Sequence, residues 1–446
     1  MLRRRVLAMA IALFIVPNTD GKSSDGISQG QPPSYFVTNC DDDGPGSLRD
    51  TLASATEGST VYLGNLTCST ITLTSGSLVT SLDDVSIGGN ATTISAAGSS
   101  RVLTHLGYGT LALVGLTIAD GAMTSDWVAA GGCVYSRGSV WTLSTVVRDC
   151  TASSAAAETW GYVAGGGIFA AGSVSLIDSS VLNNTIILDH ESDFGRGGGL
   201  SVGADLFMSR STISGNAVIG EIVPNQGLSA AGGFYAAADI DVAYSTVSGN
   251  AAYFAGGGWF GAAEVSRIVN STISGNQAQS GAGGLVTLDS LLEVWNSTIA
   301  FNDGVSLRTG EGITSCGGFL AMGGNEYISL RSSIVAENTW NGGASDVCAT
   351  PYIASIIGSG NLVIASNQPL PADTLRVDPM LAPLGDNGGT TLTHALLSGS
   401  PAIDAGNNTT FLYDQRGFSR VVGQSADIGA FEVQPDVIFE TGFDPK

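Results

Sequence analysis

Five segments of this chain end in asparagine and fall in one frame: SSVLNN at 179–184, STISGN at 211–216, STVSGN at 245–250, STISGN at 271–276 and STIAFN at 297–302. Each follows a glycine pair or triplet and then an apolar residue: Ile168, Leu200, Phe234, Trp259 and Leu285. A sixth copy runs from Phe319 to Asn338 with slightly different spacing. A period of this kind decides architecture before local propensity is considered.

Within each copy an apolar pair precedes the Ile or Val of the S-T-I segment by seven and five residues. The pairs are Val174 and Leu176, Leu206 and Met208, Ile240 and Val242, and Leu292 and Val294, with Ser266 and Ile268 a partial exception. Alternation by two turns one face of a short strand inward. The next apolar residue, five positions on, breaks that parity, so the chain turns a corner between them. The unit is three short strands per turn. Leu111, Leu113 and Ile118 keep the offsets, and Cys133 to Cys150 spans another glycine-initiated turn with cysteine in place of the terminal asparagine, so the repeat covers about 70–365. Ser, Thr, Gly and Asn dominate and no 3.6-residue stripe persists, which excludes a helical solenoid. The expected fold is an all-β, right-handed parallel β-helix with an apolar bore.

The asparagines Asn184, Asn216, Asn250, Asn276 and Asn302 would stack turn on turn and bond side chain to side chain, at a corner where asparagine tolerates the left-handed backbone. Their recurrence in every copy marks a structural role. The glycine clusters let neighbouring turns approach closely, and no strand–helix context or lysine accompanies them to make a phosphate loop. From the last glycine of a cluster to the asparagine is 17 or 18 residues, whereas the step from asparagine to the next cluster varies from 6 to 16. Insertions are thus confined to one corner. Loops 185–196, 217–231 and 303–316 are expected on one side of the stack, the side that repeat proteins commonly use for binding.

Residues 1–20 read as an export signal, with Arg3, Arg4 and Arg5 before an apolar run from Val6 to Val16 that is too short to span a bilayer. No other long apolar stretch follows, so no transmembrane segment is expected in the mature chain. An oxidising compartment suits the six cysteines, and the sequence-local pairing is Cys40 with Cys68, Cys133 with Cys150 and Cys316 with Cys348. No C-x-x-C spacing supports the metal alternative. The chain is expected outside the cell or at its surface, with the periplasm open. Its 39 acidic residues against 17 basic ones give a net charge of -22, and lysine occurs only at Lys22 and Lys446. Phosphate binding needs a clustered basic patch, so nucleic acid is excluded as a partner, and cations or neutral ligands such as sugars suit the surface better.

Ser47-Leu48-Arg49-Asp50 has the S-x-x-D form of a helix start, with Leu48, Leu52 and Ala55 on one face, and would plug the first end of the bore within a cap at 36–69. VTNCDDDGPGSLRDTLASA and LTCSTITLTSG, within about 36–76, resemble the opening of exported bacterial β-helix proteins of the CSLREA type, and the later copies look like the repeats of polymorphic outer-membrane proteins. LAPLGDNGGTTLTHALLSGSPAIDAGN at 381–407, DQRGFSR at 414–420 and DIGAFE at 427–432 closely resemble the choice-of-anchor Q domain. That resemblance implies a C-terminal capping region at 366–432 on an exported, surface-displayed β-helix, without established catalytic residues, followed by a tail at 433–446 that reads as a sorting signal or an unstructured terminus.

Parallel β-helices also include pectate lyases and polygalacturonases. Inverting hydrolysis needs two carboxylates flanking the sugar bond. N-T-D occurs here only at Asn18–Asp20, Asp83-Asp84 stands alone, G-H-G and R-I-K are missing, and His105, His190 and His394 are isolated. Two acidic clusters are candidate calcium ligands: Asp41, Asp42 and Asp43, and Asp189, Glu191 and Asp193. The competing readings are a solvated turn at the cap and an ordinary exposed insertion. Asp404, Asp414, Arg416, Arg420, Asp427 and Glu432 read as a structural latch. No catalytic residue or cofactor is assigned. The expectation is a non-enzymatic, adhesin-like β-helix whose one-sided loops bind a glycan or an extracellular protein. A polysaccharide lyase or glycoside hydrolase, and a ligand-free spacer, are its rivals.

Overall fold

The structure, a computed structural model, describes residues 33–155, 161–189, 193–220, 231–261, 265–288, 291–305, 315–323, 327–350, 355–407 and 410–435. The proposed export signal, His190, Glu191 and most of the tail lie outside them.

One turn shows how the sequence makes the coil. Strands Ile168–Ala170, Val174–Ile177 and Ser180–Leu182 follow one another around the axis and pair in parallel with Leu200–Val202, Leu206–Ser209 and Thr212–Ser214 of the next turn. Ile168, Ala170, Val174, Leu176 and Val181 all point inward and are at most 1% exposed. The corner that breaks the alternation is Asp178, at φ 47°, and Arg210, Tyr244, Asn270, Asn296 and Ser332 repeat that left-handed step in later turns. Repetition builds a ten-stranded sheet from the glycine-initiated strands and a 21-stranded sheet from the other two. A continuous bore runs from Val37 and Leu48 to Val363. Burying each Val, Leu or Ile there stabilises by about 1.5–3 kcal/mol. The fold is a parallel β-helix with three strands per turn.

Side-chain ladders at two corners lock the turns in register. In each ladder asparagine the Nδ2 donates to Oδ1 of the next, from Asn184 through Asn216, Asn250, Asn276 and Asn302 to Asn338, at 2.8–2.9 Å. Nδ2 also donates to a bore carbonyl, as Asn216 does to Val181 O. Each ladder amide from Asn184 to Asn338 is thereby paired, the condition under which a buried polar network rigidifies a core. The left-handed residue is not the ladder asparagine, however. It is the one before it: Asn183, Gly215, Gly249, Gly275, Phe301 and Glu337. A second ladder, of serines, was not read from the sequence: the N–H of Ser179, Ser211, Ser245, Ser271 and Ser297 each donates to the hydroxyl of the next serine, ending at Ser333.

The insertions are more than loops. Thr185–Leu188 belongs to a nine-stranded sheet and Phe194–Arg196 to a three-stranded sheet with Val128–Ala130 and Tyr162–Ala164. These two sheets enclose a small core of their own, Ala129, Ala152, Val163, Ile186, Leu188 and Val218, outside the bore. The expected loop 185–196 is therefore largely a fin. Where the fin's strands return to the ten-stranded sheet the backbone is left-handed at Gly131, Gly165 and Gly197, and a Cβ on Gly197 would lie 1.7 Å from Leu200 O. Only glycine fits there.

At the first end, Ser47 Oγ accepts the Asp50 N–H to start helix Leu48–Ser54, which buries Leu48 and Leu52 in the bore. Cys40–Cys68 ties this plug to the first turns, and Cys133–Cys150 and Cys316–Cys348 close two later corners. At the other end Leu370 packs on the bore. Residues 379–433 do not lie over that end. They fold back along the flank, where Gln415 Nε2 donates to Thr246 Oγ1 (3.0 Å), Thr272 donates to Gln415 Oε1 (2.6 Å), His394 Nε2 meets Ser274 Oγ (2.8 Å) and the Ala430 N–H donates to Thr298 Oγ1 (3.0 Å). The outward residues Thr246, Thr272, Thr298, Ala300, Ile334 and Ala336 are buried as a result, while their equivalents Ser180 and Thr212 stay half-exposed. Among the described residues no helix is long and apolar enough to cross a membrane.

Candidate functional site

The fin meets the outer face of the ten-stranded sheet at the glycine corners, and the angle between the two surfaces is the candidate groove. Its floor is the outward position of five successive strands: Tyr135, Phe169, Ser201, Tyr235 and Trp259. Strands about 4.8 Å apart make this row roughly 19 Å long. Tyr135 stacks on Phe169 with centroids 5.4 Å apart, and Tyr235 stacks on Trp259 at 4.7 Å with planes 2° from parallel. All four rings are half-buried. Beyond Trp259 the outward row continues as Val286, Leu320 and Cys348, which are buried with Phe254 in a separate apolar cluster.

The aromatic row is interrupted at Ser201, and Arg196 fills the interruption. Arg196 ends its fin strand with its guanidinium 4.7 Å from the Tyr235 ring centroid and 5.6 Å from that of Tyr162 on the fin wall. Trp259 covers one face of Tyr235, so the cation lies over the other. Burial pushes the Tyr235 phenol up, Arg196 pulls it down, and the nearby Tyr162 raises it. The upper end of the row is closed by Arg101, which sits 5.2 Å from the Tyr135 ring and donates to the carbonyls of Ala130 and Gly131. Burial lowers the Arg101 pKa from its ordinary value. Exposed Trp127 and Val128 form the rim.

The acidic clusters singled out in the sequence are used differently. Asp42 receives Arg49 at 2.6 Å and the N–H groups of Thr74 and Ser75 at 2.9 and 2.6 Å, a clasp between the plug and the first turns. Burial raises its carboxyl, yet these bonds together carry the pKa below the ordinary value. Asp41 and Asp43 are exposed, and Asp43 accepts only the Gly44 N–H beside it. Asp193 is buried at the base of the fin, accepting from Ser154 Oγ and Gly161 N, while Asp189 is exposed. Among the described residues no three His, Cys, Asp or Glu side chains converge. Buried His105 bridges Ser136 and the carbonyls of Leu82 and Asp83. Buried His394 lies between Ser274 and Ala382, and burial lowers its pKa.

The C-terminal charges interlock. Arg416 donates twice to Asp414 Oδ2, at 2.9 and 2.6 Å, and sits 3.6 Å over Phe431. Asp427 accepts from Asp404 and Val433, and Glu432 accepts from Asp427 and Val422. Burial raises Glu432 to about 7, and it also raises Asp427 and lowers Arg420. A cleft of about 340 Å³ lies where this layer meets the coil, lined by Arg210, Tyr244, Thr390, Tyr413, Gln415 and Arg416. Its two arginines are paired with Asp178 and Asp414.

The groove was missed in the sequence. Its signal was the residue after each glycine cluster's apolar position, which is aromatic at Tyr135, Phe169 and Tyr235; in the next copy Trp259 is itself the outward residue. No family model matches the chain, and no curated protein does. Among solved structures, the crystal structure of pectate lyase Pel9A is similar at 13% identity, covering 90% of this chain and 97% of that one with a TM-score of 0.42.

Proposed function

We propose that this is an exported, surface-displayed β-helix protein of the kind carrying choice-of-anchor Q domains, and that it binds a glycan without cleaving it along the groove between fin and sheet. The observation that carries this reading is the row from Tyr135 to Trp259, with Arg196 in it, running along the fin over five turns. Aromatic rings combine apolar area with polar tips, the combination that sugar rings meet with their C–H faces and hydroxyls. The strand spacing is close to the rise of one sugar unit in an extended chain, so a polysaccharide along the axis meets a similar contact at each turn.

Affinity electrophoresis of the intact protein in gels containing soluble neutral and acidic polysaccharides tests this. Retardation that Trp259→Ala and Tyr235→Ala reduce, with no new reducing or unsaturated ends, supports the reading. Release of such ends favours the lyase or hydrolase, and no retardation by any polysaccharide favours a spacer.

A further inference from the structure

We infer that Arg196, Tyr162 and Tyr235 form a subsite for the carboxylate of an acidic sugar, so that the groove selects a uronate-containing glycan over its neutral counterpart. This rests on the glycan reading above and adds the charge of the ligand.

The other arginines are held differently. Arg49, Arg148, Arg210, Arg267 and Arg416 each pair with a carboxylate, and Arg331, which lies over the Trp295 ring, is exposed. Arg101 is bound by backbone carbonyls. Among the described residues, Arg196 has neither: its contacts are the two tyrosine rings, 5.6 and 4.7 Å away. Stacking occupies the faces of a guanidinium and leaves its N–H edge free, and that edge is the part that takes a carboxylate in a bidentate pair. In a chain of net charge -22, a half-buried cation held between rings rather than against an acid is a localised exception.

The neighbours supply the same polarity. Tyr162 and Tyr235 flank the same guanidinium, with ring centroids 5.6 and 4.7 Å from Arg196. Each carries an O–H that can donate to the same oxygen pair. Ser201, the strand residue between Phe169 and Tyr235, is short and buried, which leaves Arg196 room to lie against the Tyr235 ring. The site is thus donor-rich and flanked by rings, which suits an anionic group attached to a sugar ring. The acidic surface elsewhere opposes such a ligand only weakly, because charges beyond about 8 Å are screened at physiological salt.

The test titrates the full exported chain with alginate oligomers and, separately, with the same oligomers after reduction of their carboxyl groups to alcohols. Wild type is expected to bind the uronate form at least about tenfold more tightly, with affinity falling as salt rises. Arg196→Gln is expected to abolish that preference, bringing the affinity for the uronate form down to that for its reduced counterpart, and Arg196→Lys to restore part of it. Equal affinity for both forms in wild type, or a preference that survives in Arg196→Gln, overturns the subsite while leaving the glycan reading intact. Binding of neither form, with retardation by some other polysaccharide, overturns it too, and acidic peptides binding as tightly as alginate would assign the site to a protein partner.

Discussion

Asn338 donates both its backbone N–H and its Nδ2 to one oxygen of Asp346, at 3.1 and 2.9 Å, and the second Asp346 oxygen accepts the Ala365 N–H at 2.8 Å. The asparagine ladder therefore ends on a group that only accepts. The amides point their Nδ2 ends along the chain toward Asp346, so their aligned dipoles favour its negative charge. Burial works the other way and raises its pKa.

Asp346→Asn keeps the shape but must turn an N–H₂ toward either Asn338 or Ala365, both donors. The expected loss is about 1–3 kcal/mol of stability, read as a lower urea midpoint. An unchanged midpoint would mean that the ladder does not need an acceptor at its end.

In the middle of the ladder, Asn250 accepts from Asn216 and donates to Asn276 and to Ile213 O. Asn250→Ala leaves at least two buried groups unpaired and is expected to cost about 3 kcal/mol. Amide exchange should accelerate first in the turns on either side, since each turn contacts mainly its neighbours.

Cys150 stands at the opposite end, its N–H donating to Asn184 Oδ1 at 3.1 Å, and is bonded to Cys133 across 17 residues. Removing that disulfide is expected to cost about 3 kcal/mol. The pair Cys133→Ala with Cys150→Asn extends the ladder by one rung. It should be about 1 kcal/mol more stable than Cys133→Ala with Cys150→Ala in urea unfolding.

Glu432 governs a pH dependence. Its pKa rises on folding from 4.5 to about 7, through burial first and then the adjacent Asp427, against Arg420 and the N–H donors of Asp427 and Val422. The folded state binds the proton more tightly, so stability declines as pH climbs from about 4.5 to about 7, and the raised Asp427 contributes with the same sign. Glu432→Gln lowers stability by removing one acceptor but flattens that slope, which urea titrations across the range would reveal.

The coil was legible because its causes are local. The V-x-L pair, the S-T-I corner and the stacked asparagine each repeat at fixed offsets, and parallel pairing converts such repetition directly into register. The fin and the flank layer were not legible because they depend on surfaces that repetition alone does not bring together. One trace existed: the outward positions of the S-T-I strand change from Thr and Ser to Ala300, Ile334 and Ala336 in the last two copies, as expected where another layer covers them. The groove needed the fin, since Arg196 and Tyr235 lie 39 positions apart and meet only when the insertion folds back. At the acidic clusters proximity in sequence is not convergence among the described residues: Asp42 faces Arg49, and Asp193 faces Ser154, while Glu191 lies outside them.

Hydroxyl-radical footprinting of the full chain with and without bound polysaccharide, mapped residue by residue by mass spectrometry, tests the central claim most directly. The account predicts protection of Tyr135, Phe169, Tyr162, Tyr235 and Trp259, with Tyr413 in the flank cleft unchanged. Protection confined to Tyr413 and Tyr244, with the groove residues oxidised at their free rate, would contradict it.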